Sequence, residues 1–143
     1  LDAKGNPVSV KFSLREDFGG GDRSSAEVQA QAEAASRGIA GDQGGHLVAY
    51  RFMPEQGGIN LFPQNGNFNT SAFKTLENDY ARYLTEGYQV DGTHALSNLD
   101  PLTGRPGSVQ VGFTVRDASG NVVDSFTQLF DNAPGQVYVR RVY

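Results

Sequence analysis

The sequence predicts an α+β fold. Three observations carry that prediction: an alternating apolar stretch near the start, two helical segments separated by short β-like runs, and a final third that reads as antiparallel strands joined by turns. The chain has 143 residues, near the commonest size for one domain, and 38% apolar with 10% aromatic residues is enough to build a core. One domain is expected over 1–143. Its parts are an N-terminal strand and Gly-rich linker over 1–23, a polar central segment over 41–87, and antiparallel strands over 88–143.

The first strand is "PVSVKFSLRED", where Val8, Val10, Phe12 and Leu14 share one face and Ser9, Lys11 and Ser13 the other. "FGGGD" breaks the pattern. "SSAEVQAQAEAASRG" then reads as a helix, with Ser24 and Glu27 spaced as a capping box and Gly38 placed to end it. Its apolar residues are nearly all alanine, so it packs either closely or weakly. "HLVAYRFM" is the next strand candidate, which sets His46 at a strand start beside Gly44 and Gly45, where a large ligand could approach the backbone. "INLFP" follows as a short segment. A second helix is expected over 70–86, stopped by Gly87, with Phe73, Leu76, Tyr80 and Leu84 as its buried face. After it, "SVQVGFTVRD" alternates, "ASGN" turns, "VVDSFTQLF" returns, and "QVYVRRVY" closes the chain as a strand that points Arg140 and Arg141 to opposite faces.

Composition narrows the function classes. The absence of cysteine excludes disulfides, thiolate metal sites and Cys nucleophiles. No apolar run approaches the ~20 residues of a membrane helix, so no membrane partner is expected. The net charge of −4 argues against a basic nucleic-acid coat but leaves a nuclease open, because a metal ion supplies positive charge locally. The chain begins without methionine and is expected to be a domain of a longer protein.

The chemistry gathers between Asp42 and Glu77, where His46, Asn60, Gln64, Asn65, Asn67 and Asn69 thread through apolar residues. Asn69 stands just before the second helix, and Glu77 follows eight residues later beside its apolar face. In one regular helix that spacing is ~12 Å along the axis, too far for both to bind one ion directly. Either one of them holds a metal and the other reaches its bound water, or a loop displaces Asn69. Oxygen ligands with retained waters suit Mg²⁺. With two histidines and no cysteine, a dedicated zinc site is not expected. Asn60, Asn65 and Asn67 read equally as turn formers. His94, in "GTHAL", lacks such company and reads as a surface or strand histidine whose loss should do little to turnover.

"GDQGGHLVAYRF", "INLFPQNGNFN" and "NTSAFKTLE", in that order, resemble the DNA/RNA non-specific endonuclease family, a branch of the ββα-metal (His-Me finger) nucleases. The likeness covers 41–77 well, making 41–87 the expected active-site core. It runs loosely through "EGYQV" and "GRPGSVQVGFTV" and is poor over the first forty residues. It implies that His46 is the general base, Asn69 the side-chain ligand of Mg²⁺ or another divalent cation such as Mn²⁺, and Glu77 a residue that orients water in the metal's shell. Asn60 would hold the active-site loop or the phosphate. Where family members carry an arginine after the aspartate, this chain has Gln43, which can donate to a phosphate oxygen but brings no charge. The missing charge is expected from Arg37, Arg51, Lys74, Arg82 or Arg105.

The resemblance further implies a nucleic-acid substrate, DNA with RNA as a second possibility. Compact members with D-x-G-G-H often form the toxin domain of large secreted bacterial proteins. That implies secretion or delivery into a target cell, action in its cytoplasm, and a cognate immunity protein. The competing expectation is a non-catalytic β-rich binding module of a secreted or surface protein.

Overall fold

The computed structural model describes residues 1–2, 5–19 and 23–142. Its elements are β1 (Ser9–Leu14), α1 (Ser25–Ser36), β2 (Asp42–His46), a 3-10 turn (Gly57–Asn60), β3 (Leu61–Asn65), α2 (Gly66–Thr70), α3 (Ala72–Thr85), β4 (Gln89–Leu99), β5 (Pro106–Arg116) and β6 (Val122–Asp131). The fold is α+β, with two antiparallel sheets. One has the order β1-β4-β5-β6 and the other is the β2-β3 hairpin.

The large sheet buries one face. Phe12 and Leu14 of β1, Val90, His94 and Leu96 of β4, and Val109, Val111, Phe113 and Val115 of β5 are all buried, at the two-residue period of a half-covered sheet. α3 lies on this face through Phe73, Leu76, Tyr80 and Tyr83, whose spacing follows the helical period; the expected Leu84 is only partly buried. Gly92 makes room in the layer, because a Cβ there would meet the Phe12 ring at 2.7 Å.

Several expected elements fall differently. The strand over 46–53 lies earlier, so His46 ends β2 instead of starting a strand, and 47–56 is a looping segment held by Asn60. The helix expected over 70–86 is α3, and a short helix, α2, precedes it, the break falling at Ser71 with φ −116° and ψ −93°. Asn69 therefore belongs to α2 and Glu77 to α3. The final segment is not a strand. Tyr138 is buried, its hydroxyl donating to Asp79, and Arg141 pairs with Asp124 across 3.1 Å. His94 lies in β4 but is no surface residue, being 1% exposed. Part of the Gly-rich linker, 20–22, lies outside the described residues.

α1 packs closely. Ser24 caps it, its Oγ accepting from Glu27 N at 3.1 Å. The alanines let the helix approach β2 until a Cβ on Gly44 would stand 2.2 Å from the Gln31 carbonyl oxygen. Only glycine fits there. The hairpin is tied to the large sheet by Arg105, whose guanidinium grips the buried Asp42 carboxylate at 2.6 and 3.0 Å and also donates to the Asn132 carbonyl.

Candidate active site

β2, α1, α2 and α3 enclose a cleft of about 400 Å³. His46 reaches it from the end of β2, Asn69 from α2 and Glu77 from α3, joined by Arg23, Arg51 and Lys74. The break at Ser71 sets Asn69 on α2 and Glu77 on α3, and both line the cleft.

His46 is 8% exposed, and its Nε2 lies 2.8 Å from Glu27 Oε1. The second oxygen of Glu27 accepts from Gly57 N at 3.1 Å; Gly57 presents that N–H from a left-handed conformation, φ 65°, that favours glycine. Glu27 therefore does not close the capping box. Glu55 takes that place, accepting from Ser24 N at 3.0 Å and from Ser24 Oγ at 2.6 Å. Burial pulls the His46 imidazole below its usual pKa; Glu27 opposes this and Arg23 adds to it.

Asn69 is oriented by its neighbour. Its Nδ2 donates to Gln43 Oε1 at 2.8 Å, which leaves Oδ1 as the free acceptor. Glu77 carries its carboxyl up to about 8, because burial outweighs the opposing charges of Arg51, Arg23 and Lys74. A cation entering the cleft would favour the ionised form. Among the described residues no three His, Asp or Glu side chains form a metal-binding group. The donors present, an amide oxygen turned outward and a carboxyl desolvated nearby, instead suit a hard divalent ion that keeps most of its waters. Asn60 uses both ends of its amide on Val48, accepting from its N–H at 3.0 Å and donating to its carbonyl at 2.8 Å, so it holds the loop and not a phosphate.

The expected cations divide. Arg51 and Lys74 line the cleft, Arg51 held by a two-pronged pair with Asp17 at 3.0 and 2.6 Å. Three others lie elsewhere. Arg105 is committed to Asp42, Arg82 pairs with Asp79 on the far part of α3, and Arg37 sits beside Gly5, Asn6 and Ile59 at the other end of α1. Gln43 contacts Asn69 and is not part of the cleft lining. Arg23 was missed by sequence reasoning. Its guanidinium lies 4.7 Å over the ring of Tyr50, which also lines the cleft. No local pattern marks it, since the residue only precedes a helix cap. Glu27 was visible as a helix-start acid, but its partner lies nineteen residues downstream.

A family model for DNA/RNA non-specific endonucleases matches residues 1–101. No curated protein matches by sequence. An extracellular endonuclease has a similar structure, with a TM-score of 0.67 at 16% identity over 97% of this chain and 79% of that one. An extracellular nuclease gives 0.61 at 14% identity, over 97% and 84%. NucA from Streptococcus agalactiae, with a magnesium ion bound, gives 0.66 at 14% identity, over 94% and 69%. At these identities the structural likeness establishes a shared fold. The family match sets aside the non-catalytic binding module and makes the chain an enzyme: it belongs to the DNA/RNA non-specific endonuclease family.

Proposed function

We propose that the chain is a divalent-metal-dependent endonuclease that hydrolyses phosphodiester bonds of DNA, and of RNA as a second substrate, with little sequence preference. The observation that carries this reading is the convergence of His46, Asn69 and Glu77 on one cleft with three cationic side chains. His46 accepts the proton of the attacking water as the water oxygen bonds phosphorus and the bond to the leaving sugar oxygen breaks. Asn69 Oδ1 would hold Mg²⁺ or Mn²⁺, and Glu77 would hold water beside it. The bound ion would supply positive charge at the phosphate and leaving oxygens. Arg23, Arg51 and Lys74 hold the substrate backbone, replacing the charge that Gln43 lacks. Cations that hold the backbone carry no sequence information, which suits low sequence preference.

Secretion, a toxin role and an immunity partner belong to the same reading. Two structural neighbours carry extracellular in their names, and the D-x-G-G-H motif supports the toxin reading. An immunity protein would cover the cleft with acidic groups facing Arg23 and Lys74. No helix among the described residues is long and apolar enough to cross a membrane.

Supercoiled plasmid and single-stranded RNA incubated with Mg²⁺, and again in excess chelator, test the core of this reading. Degradation that stops in chelator is expected. Undiminished cleavage in chelator removes the metal, and no cleavage of either substrate under any divalent ion removes the proposed activity.

A further inference from the structure

We infer that Glu27 is the positioning residue of His46: its buried carboxylate fixes the imidazole in the Nε2–H tautomer and leaves Nδ1 as the basic nitrogen. This rests on the proposed role of His46 as base. The geometry gives Glu27 two tasks, each with its own oxygen. Oε1 faces His46 Nε2 at 2.8 Å and Oε2 accepts from the Gly57 N–H at 3.1 Å. An ionised carboxyl accepts only, so Nε2 must be the ring's donor and carry the proton. Among the described residues nothing else hydrogen-bonds the His46 ring. Nδ1 is left to take a proton from water.

The side chain is placed for this by burial. Glu27 is 2% exposed, on a helix that Gly44 allows against β2 and with the cap contact it would otherwise make supplied by Glu55. An acid at the third helical position that serves only as a cap would remain at the surface beside Ser24. Here it is turned inward, where an unpaired carboxylate is costly, and its two partners are the base and the loop that frames it. The pair has the logic of a carboxylate holding a histidine's tautomer, in which losing the charge but keeping the shape leaves the wrong nitrogen protonated.

The test uses Glu27→Gln, which keeps volume but offers one acceptor and one donor. Since both facing groups are donors, the amide satisfies one and opposes the other. We expect turnover to fall by at least ~10²-fold with KM nearly unchanged, and Glu27→Gln to add no further loss in a His46→Ala background. Ring-nitrogen NMR of the metal-free wild type gives a readout independent of activity and of whether the variant folds. Nε2 protonated with Nδ1 bare supports the inference. Nδ1 protonated in the wild type overturns it. So does cleavage by Glu27→Gln within about threefold of a cleaving wild type. A wild type that cleaves nothing overturns the nuclease reading instead, and with it any catalytic use of the pair.

Discussion

Asn69 on α2 gives its Nδ2 to Gln43 Oε1 on β2 across 2.8 Å, so the side chain expected to donate to a phosphate accepts from an amide. The bond fixes which end of Asn69 faces outward. Gln43→Ala should free that amide to rotate. Because removing an outer partner of a metal ligand typically costs 10- to 100-fold in affinity or activity, the Mg²⁺ concentration for half-maximal cleavage should rise ~10-fold. A metal titration of the variant with the midpoint of the wild type would show that Gln43 does not orient the ligand.

His46→Ala should lower turnover by at least ~10²-fold, because the base is lost while Asn69 and Glu77 are untouched. The chain should remain folded, with some stability lost because Glu27 keeps only Gly57 as partner. Single-turnover plasmid nicking and a circular dichroism spectrum check the two halves separately.

The rate should depend on pH in one direction. A base acts only when unprotonated, and burial lowers the His46 pKa below its usual value, so cleavage should rise with pH through a midpoint below ~6.5 and then level off. The measurement is a rate profile at saturating metal. A profile flat from acid to neutral pH would take proton transfer to His46 out of the rate-limiting step.

His94 makes stability sensitive to acid. Its Nδ1 donates to the Leu47 carbonyl at 2.6 Å and its Nε2 accepts from the Tyr80 hydroxyl at 2.8 Å, and burial lowers its pKa to about 4. The unfolded chain binds the proton near 6.5 and the folded one only near 4. The stability that the neutral His94 contributes is therefore fully present above ~6.5 and is lost as pH drops toward 4, by roughly 3 kcal/mol in all. Denaturant unfolding at a series of pH values should show the wild type losing that stability relative to His94→Asn as pH drops from ~6.5 toward 4, because the pH terms of His46 and of Glu77, whose carboxyl is raised to about 8, are common to both proteins. His94 lies between α3 and the loop after β2, so its replacement should cost folding stability, while turnover of the folded variant should change little.

Gly44→Ala should displace α1. The added Cβ would stand 2.2 Å from a backbone oxygen, and backbone cannot yield as the end of a side chain can. A loss of 1–3 kcal/mol is typical of such overpacking, and about that much is expected here. Since α1 carries Glu27, cleavage should fall with it. A variant as stable as the wild type would mean that the helix accommodates the methyl group.

Local order is legible in the chain alone: a half-buried first strand, a helix capped at Ser24, the succession His46, Asn69, Glu77, and a β-rich final third. These follow from periodicity and capping, which act over a few residues and are written in them. The tertiary structure decided everything that needed a distant partner. Asp42 and Arg105 meet across sixty-three positions, which removes that arginine from the cleft, and Arg23 enters it only because α1 docks on β2. "QVYVRR" alternates like a strand, yet the fold pulls Tyr138 to Asp79 and Arg141 to Asp124, and without a ladder partner alternation cannot make a strand. Glu27 shows the division most plainly. Its place in the helix's first turn was legible, but a carboxylate has two oxygens and no preference among donors, so which donors meet it depends on the chain topology that brings Gly57 and His46 to its side.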